Sequence, residues 1–217
     1  MDVLFDLNGT LLDPGAFTAT WPGTARDLGP SVLDLAVAQA MTDTMTGTFR
    51  PFSTYVRAAL AQRAAVAGLG DEHVEAGISA ALALPPFPDA AGALQHLTEA
   101  GHRVSTLTNT GEDAAQHALE QAGLAGFVRA VIGADAVGAY KPDARIYRHA
   151  LERLGAAPAR TWLVAGHWWD VSGAKRAGLR TAWVARQERV LLETVPEPDV
   201  RGPDLATVAD AIVGAAD

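Results

Sequence analysis

The chain contains no cysteine, which removes disulfides, thiolate metal sites and a cysteine nucleophile together. It also lacks an excess of positive charge. Its formal net charge is -8, which argues against nucleic acid and against an anionic membrane surface as partners. A small anionic substrate remains compatible with that balance, because a few local basic groups can outweigh a global charge. No apolar run approaches the ~18 to 20 residues of a membrane span. Asp2 stands where a leader peptide would carry positive charge, and the apolar run behind it is too short for a cleaved segment. These absences fit a cytoplasmic protein. With 217 residues, and a prior of ~150 residues per domain, one domain carrying a smaller insertion is expected.

From about residue 85 onward, helical patterns closed by glycine alternate with short apolar, β-rich runs. A helix over 89–100 ends at Gly101 and is followed by the strand HRVSTLTN; a helix over 112–122 ends at Gly123 before a strand around Val128 to Ile132. Then come a helix from Pro142 to Leu154, the strand TWLVAG (161–166), a helix from Asp170 to Ala177 and the strand RTAWVA (180–185). Glycine just beyond a helix is the expected C-terminal signal. Strand, helix, strand at this spacing implies parallel pairing by right-handed crossovers, hence an α/β fold built on a doubly wound parallel sheet. Residues 14–84 break the rhythm. They hold three helical stretches, SVLDLAVAQAMTDTM, TYVRAALAQRAAVAGL and HVEAGISAALAL, and no strand-like run. We read them as a helical insertion between a core formed by 1–13 and 85–217, placed to cover the strand ends and exclude water from them. The segment from Arg186 to Pro203 is charged and proline-rich and leads to a short terminal helix.

Four short stretches fall at the expected carboxyl ends of different strands: Asp6 with Thr10, Thr108 with Asn109, Lys141 in YKPD, and Asp170 in GHWWD. In an open α/β sheet that edge is where ligands bind. One such residue alone is usually a turn or a helix cap. Their convergence is the informative feature.

In this order, FDLNGTLLD, LTNT, GAYKPDARIY and WDVSGAKRAGL resemble the signature of the haloacid dehalogenase-like (HAD) hydrolase superfamily. The resemblance implies a Rossmann-like core with residues 14–84 as the family's helical cap. It also implies a covalent aspartyl intermediate formed by Asp6 and hydrolysed by water. By the same resemblance Thr10 braces the loop, and Thr108 and Asn109 hydrogen-bond the substrate or the nucleophile. Lys141 keeps Asp6 ionised, and Asp170 orients the attacking water or holds a metal. Tyr147 either contributes to the pocket or packs in the core. The family is compatible with a homodimer.

Asn8 divides the possibilities. Most members of the superfamily are phosphatases with a second Asp there, which protonates the departing alkoxide; a carboxamide cannot exchange that proton. Halide leaves as the anion of a strong acid and needs none, and the 2-haloacid dehalogenases lack the second acid. The fourth motif points the same way. His167 follows Gly166 where the phosphatases carry an acidic residue, leaving a poor Mg²⁺ site, since that ion prefers oxygen ligands. The Trp168-Trp169-Asp170 run resembles that of the type II 2-haloacid dehalogenases, with Trp169 either walling the pocket or packing, and His167 either at the substrate or simply bonded at a helix start. Two departures stand beside this. Ala165 replaces an expected serine, and the arginine those dehalogenases carry on the first cap helix is missing; Arg26, Arg50, Arg57 and Arg63 are the only basic residues of 14–84 apart from histidine. The leading expectation is a dehalogenase of small 2-haloacids that needs no cofactor. The alternatives are an Mg²⁺-dependent phosphatase with Asp6 and Asp170 as ligands, and a catalytically weak binding member of the superfamily.

Overall fold

A computed structural model describes residues 1–215. Six strands form one sheet: β1 (Asp2–Phe5), β2 (Arg103–Thr108), β3 (Val131–Gly133), β4 (Thr161–Ala165), β5 (Arg180–Val184) and β6 (Val200–Gly202), in the order β3-β2-β1-β4-β5-β6. Every pairing is parallel. A parallel sheet is covered on both faces, so its strands read as continuous apolar runs. Accordingly all four residues of β1 and all five of β4 are buried. β1 lies between β2 and β4, and the strand order reverses at the β1/β4 boundary. The crevice outside that boundary is where ligands bind in such sheets. Asp6 follows β1 there, with its backbone N–H bonded to Val164 O at 3.0 Å.

The crossovers are α4 (Ala90–Glu99), α5 (Glu112–Gln121), α6 (Ala144–Leu154) and α7 (Trp168–Arg176), with α8 (Leu205–Gly214) after β6. Between β1 and α4 the chain forms two short 3-10 turns and three helices, α1 (Gly29–Met45), α2 (Phe52–Val66) and α3 (Asp71–Ala81). It leaves and re-enters the core side by side: Asp13 N–H donates to Pro85 O at 2.9 Å and Phe87 N–H to Leu11 O at 2.8 Å. Phe17, Trp21, Tyr55 and Leu60 are fully or almost fully buried and give the inserted helices their own apolar centre.

Three local readings are corrected. Pro142 does not begin α6; Asp143 caps it, its carboxylate accepting from Arg145 N–H, and the helix starts at Ala144. The third strand is shorter and later than 128–132, because only Val131–Gly133 runs in register with β2. The stretch after Arg186 contains a strand, β6, which extends the sheet beyond β5. Its three residues, one of them glycine, are too few for alternation or apolar content to register.

Gly77 sets how α3 meets α2. A Cβ there would lie 2.5 Å from Leu60 Cδ2 and 2.9 Å from Phe17 O, closer than any relaxed packing allows. Gly77→Ala is expected to lower the unfolding free energy by about 1–3 kcal/mol, measured by urea denaturation. Unchanged stability would contradict this packing.

Candidate active site

Four segments converge on the carboxyl edge of β1. The turn after β1 breaks at Gly9, whose φ of +83° suits glycine and whose missing Cβ makes room for the His167 ring; a Cβ would stand 2.5 Å from His167 Cε1. Thr10, one residue on, donates from Oγ1 to Asp6 Oδ2 at 2.8 Å and accepts from Gly166 N–H at 2.9 Å. It therefore ties the β1 turn to the β4 turn.

Lys141 is not at a strand end. It lies eight residues beyond β3 in a loop that three contacts hold in place. Its own N–H donates to Asn109 Oδ1 at 2.9 Å, the neighbouring Tyr140 N–H donates to Thr44 Oγ1 of α1 at 3.1 Å, and the Tyr140 ring stacks on Phe49 with centroids 4.9 Å apart. The ammonium is fully buried. Its Nζ donates to Asp6 Oδ1 at 2.8 Å, Asp170 Oδ2 at 2.5 Å and Leu107 O at 2.8 Å, so all three of its protons are used.

This arrangement fixes the charges. Burial raises the Asp6 carboxyl, but Lys141 and His167 outweigh it and hold Asp6 well below the usual carboxylate range. Burial by itself lowers Lys141, and the two carboxylates raise it above its ordinary value, so it stays protonated. Asp170 is pushed up, first by burial, with Lys141 opposing and the negative charge of Asp6 reinforcing. Burial pulls His167 down, and its bond to Asp6 raises it overall; its Nδ1 is 3.2 Å from Asp6 Oδ2.

The space beside Asp6 is small, about 10 Å³, and is walled by Asn8, Thr108, Asn109, His167 and Trp169, with Leu33 and Val37 of α1 above. That volume is on the order of one water molecule. A larger cleft of about 580 Å³ lies on the far side of His167 and Trp169, which share one wall between the two spaces together with Val37. The His167 and Trp169 rings stack with centroids 4.9 Å apart.

Most of the expected residues meet here. Asn8 donates from Nδ2 to Thr110 Oγ1 at 3.3 Å, which bridges two turns. Thr108 Oγ1 accepts from Thr110 N–H at 3.1 Å. Asn109 is buried, and its Nδ2 has no hydrogen-bond partner among the described residues. Two residues do not face the pocket. Tyr147 is wholly buried and donates to Asp170 Oδ1 at 2.6 Å, so it holds Asp170 rather than a ligand. Asp170 sits in the first turn of α7, fully buried, with its oxygens taken by Lys141 and Tyr147. It is not placed to orient water; it completes the seat of Lys141.

The residues do not fit Mg²⁺ either. An ammonium stands between Asp6 and Asp170, and no group of three or more His, Asp or Glu side chains converges on a metal-holding point among the described residues. Magnesium demands a near-octahedral set of oxygens.

None of the inserted helices' arginines lines the space beside Asp6. Arg26 bonds Gly23 O at the surface, Arg50 pairs with Asp43, Arg57 with Glu75, and Arg63 donates to Gln62. The arginine at the outer cleft is Arg186, just beyond β5, which donates to Asp89 Oδ1 at 2.7 Å and Thr10 O at 3.2 Å. Sequence reasoning missed it, along with Asp34 and Glu188 on the same cleft. The charged stretch that opens at 186 was the one sequence signal for Arg186 and Glu188; Asp34, inside α1, had none.

The site is thus a buried carboxylate held ionised by lysine at the β1 edge of a doubly wound sheet, under inserted helices. Residues 3–178 match the family model for haloacid dehalogenase-like hydrolases, and the chain belongs to that family. It is similar to the haloacetate dehalogenase H-2 of Moraxella sp. (strain B), 29% identical over 97% of this chain and 95% of that one. A stretch of 110 residues is 37% identical to the (S)-2-haloacid dehalogenase 4A of Burkholderia cepacia, covering 51% of this chain and 48% of that protein. The fold is similar to that of the L-2-haloacid dehalogenase of Xanthobacter autotrophicus solved with chloropropionic acid covalently bound, with TM-score 0.88 and 26% identity over 98% of each chain.

Removing the central cation leaves two buried carboxylates uncompensated, a change that typically costs about 3–5 kcal/mol. Lys141→Met is expected to lose that much unfolding free energy at pH 7, and adding Asp170→Asn to recover part of it, read by urea denaturation. A stable Lys141→Met protein would contradict the charge arrangement.

Proposed function

We propose that this protein is a dehalogenase of small 2-haloacids in which Asp6 displaces halide and the resulting aspartyl ester is hydrolysed, without a metal ion. The observation that carries this reading is the pairing of an ionised Asp6 on the pocket wall with a carboxamide, Asn8, two residues on. In the first step an Asp6 oxygen attacks C2 of the haloacid, a C–O bond forms, the C–halogen bond breaks, and halide departs with the electron pair. Halide needs no proton, so Asn8 suffices where an alkoxide would require an acid.

Lys141 holds Asp6 as the carboxylate that must attack, and Asp170 and Tyr147 hold Lys141 in turn. Thr10 restrains Asp6 Oδ2 and so orients the pair of oxygens. With the inserted helices' arginines elsewhere, the free amide Nδ2 of Asn109 is the donor for halide or for the substrate's carboxylate. The relatives named for haloacetate and (S)-2-haloacids support the substrate class. The narrow space beside Asp6 favours small acids, and entry from the outer cleft requires the Val37, His167 and Trp169 wall to part.

Halide release from a panel of resolved 2-chloro- and 2-bromo-acids, with EDTA present throughout, tests the reading. Release is expected from wild type and is expected to vanish in Asp6→Asn, with the fold retained by circular dichroism. Turnover persisting in Asp6→Asn would remove Asp6 as the nucleophile. Silence of wild type across the panel would sink the haloacid reading.

A further inference from the structure

The second chemical step needs a base, and the side chains around Asp6 offer few. Asp170 is shut away behind Lys141 and Tyr147. Asn8, Thr108 and Asn109 form hydrogen bonds but take up no proton near neutral pH. Among the described residues on the wall of the inner space, His167 is the one titratable side chain besides Asp6 itself. It also borders the outer cleft, the open side from which water arrives.

We propose that His167, whose Nδ1 lies 3.2 Å from Asp6 Oδ2 and whose ring lines the same water-sized space as Asp6, is the general base that activates water against the aspartyl ester on Asp6. This rests on the aspartyl-ester reading above. The proton balance closes. As a water oxygen bonds to Asp6 Cγ, His167 takes one of its protons. Collapse of the tetrahedral adduct breaks the bond between Cγ and the ester oxygen, and the departing alkoxide takes that proton back, giving the 2-hydroxy acid. Asp6 is left as a carboxylic acid and loses its proton to solvent.

The surrounding charges time this role. In the free enzyme Asp6 carries a negative charge beside the imidazole, and His167 is held above its ordinary value despite burial. Forming the ester cancels that charge, while the burial that disfavours imidazolium remains. His167 then releases its proton and becomes a base at the step that needs one. Glu188 from the segment after β5 and Asp34 from α1 also face it from the cleft side, and both favour its cation. Asp170 favours that cation as well, and Lys141, held between the two carboxylates, is the cation on that side. Arg186 on the same cleft is already paired with Asp89. Asp6 is the one charge in this set that the reaction itself removes.

The experiment has two arms. In rapid-quench kinetics with a 2-bromo acid, His167→Asn is expected to keep a burst of one halide per active site. Steady turnover is then expected to fall about 10²-fold or more, with the ester mass trapped on the peptide bearing Asp6. Steady turnover near wild type would overturn the proposal, and so would a loss of burst and turnover together, which marks a positioning role in the first step. The second arm uses no substrate. The His167 imidazole, assigned among the chain's 6 histidines by its absence in His167→Asn, is titrated by NMR in wild type and in Asp6→Asn, a neutral stand-in for the ester. A midpoint lowered by a unit or more supports the timing, and an unchanged midpoint overturns it. If wild type releases no halide at all, the haloacid reading falls and this second arm still decides the Asp6–His167 coupling.

Discussion

The ammonium of Lys141, buried between Asp6 and Asp170, is the interaction on which the rest of the site depends. A lone buried ion is costly, and a buried pair is stable only when each remaining proton and lone pair also finds a partner. Here the third proton of Lys141 goes to Leu107 O, the second oxygen of Asp170 to Tyr147, and the second oxygen of Asp6 to Thr10 and His167. The cluster therefore reaches β1, β2, α6, α7 and the loop after β3. These segments meet at the reversal of strand order, and the sheet brings them there from positions up to 164 residues apart in the chain.

The same constraint divides labour between two carboxylates of one type. Asp6 meets the pocket and is held ionised, while Asp170 is sealed away and serves Lys141. Which is which follows from environment alone: Asp6 is on the wall of the inner space and Asp170 is on neither cavity. In the proposed reaction the second half therefore does not draw its base from Asp170. His167, at the turn from β4 into α7, is the side chain left with both the position and the proton affinity.

Much of this was legible in the sequence. The parallel sheet followed from the regular spacing of apolar runs and glycine-closed helices, and the convergence of Asp6, Thr10, Asn109 and Lys141 followed from motif order. Tyr147 and Asp170 were harder to read, because sequence spacing placed them near the site without saying which way each faced. Once α6 packs against α7, the Tyr147 hydroxyl reaches Asp170 and the pair closes on itself. Strand β6 is too short to carry a period. The outer cleft could not be read as a cleft, since Asp34 lies on α1 while Arg186 and Glu188 follow β5, and only the fold brings those two segments to one wall.

The central claim is that Asp6 itself carries the substrate. Its most direct test is a single turnover in ¹⁸O-water with enzyme in excess over a 2-haloacid. The account predicts that the first-formed 2-hydroxy acid is unlabelled and that ¹⁸O appears in the carboxyl group of Asp6, because the product oxygen comes from Asp6 and water restores it. Label in the product of that first turnover, with none in Asp6, would mean that water attacks the substrate directly and would contradict the account.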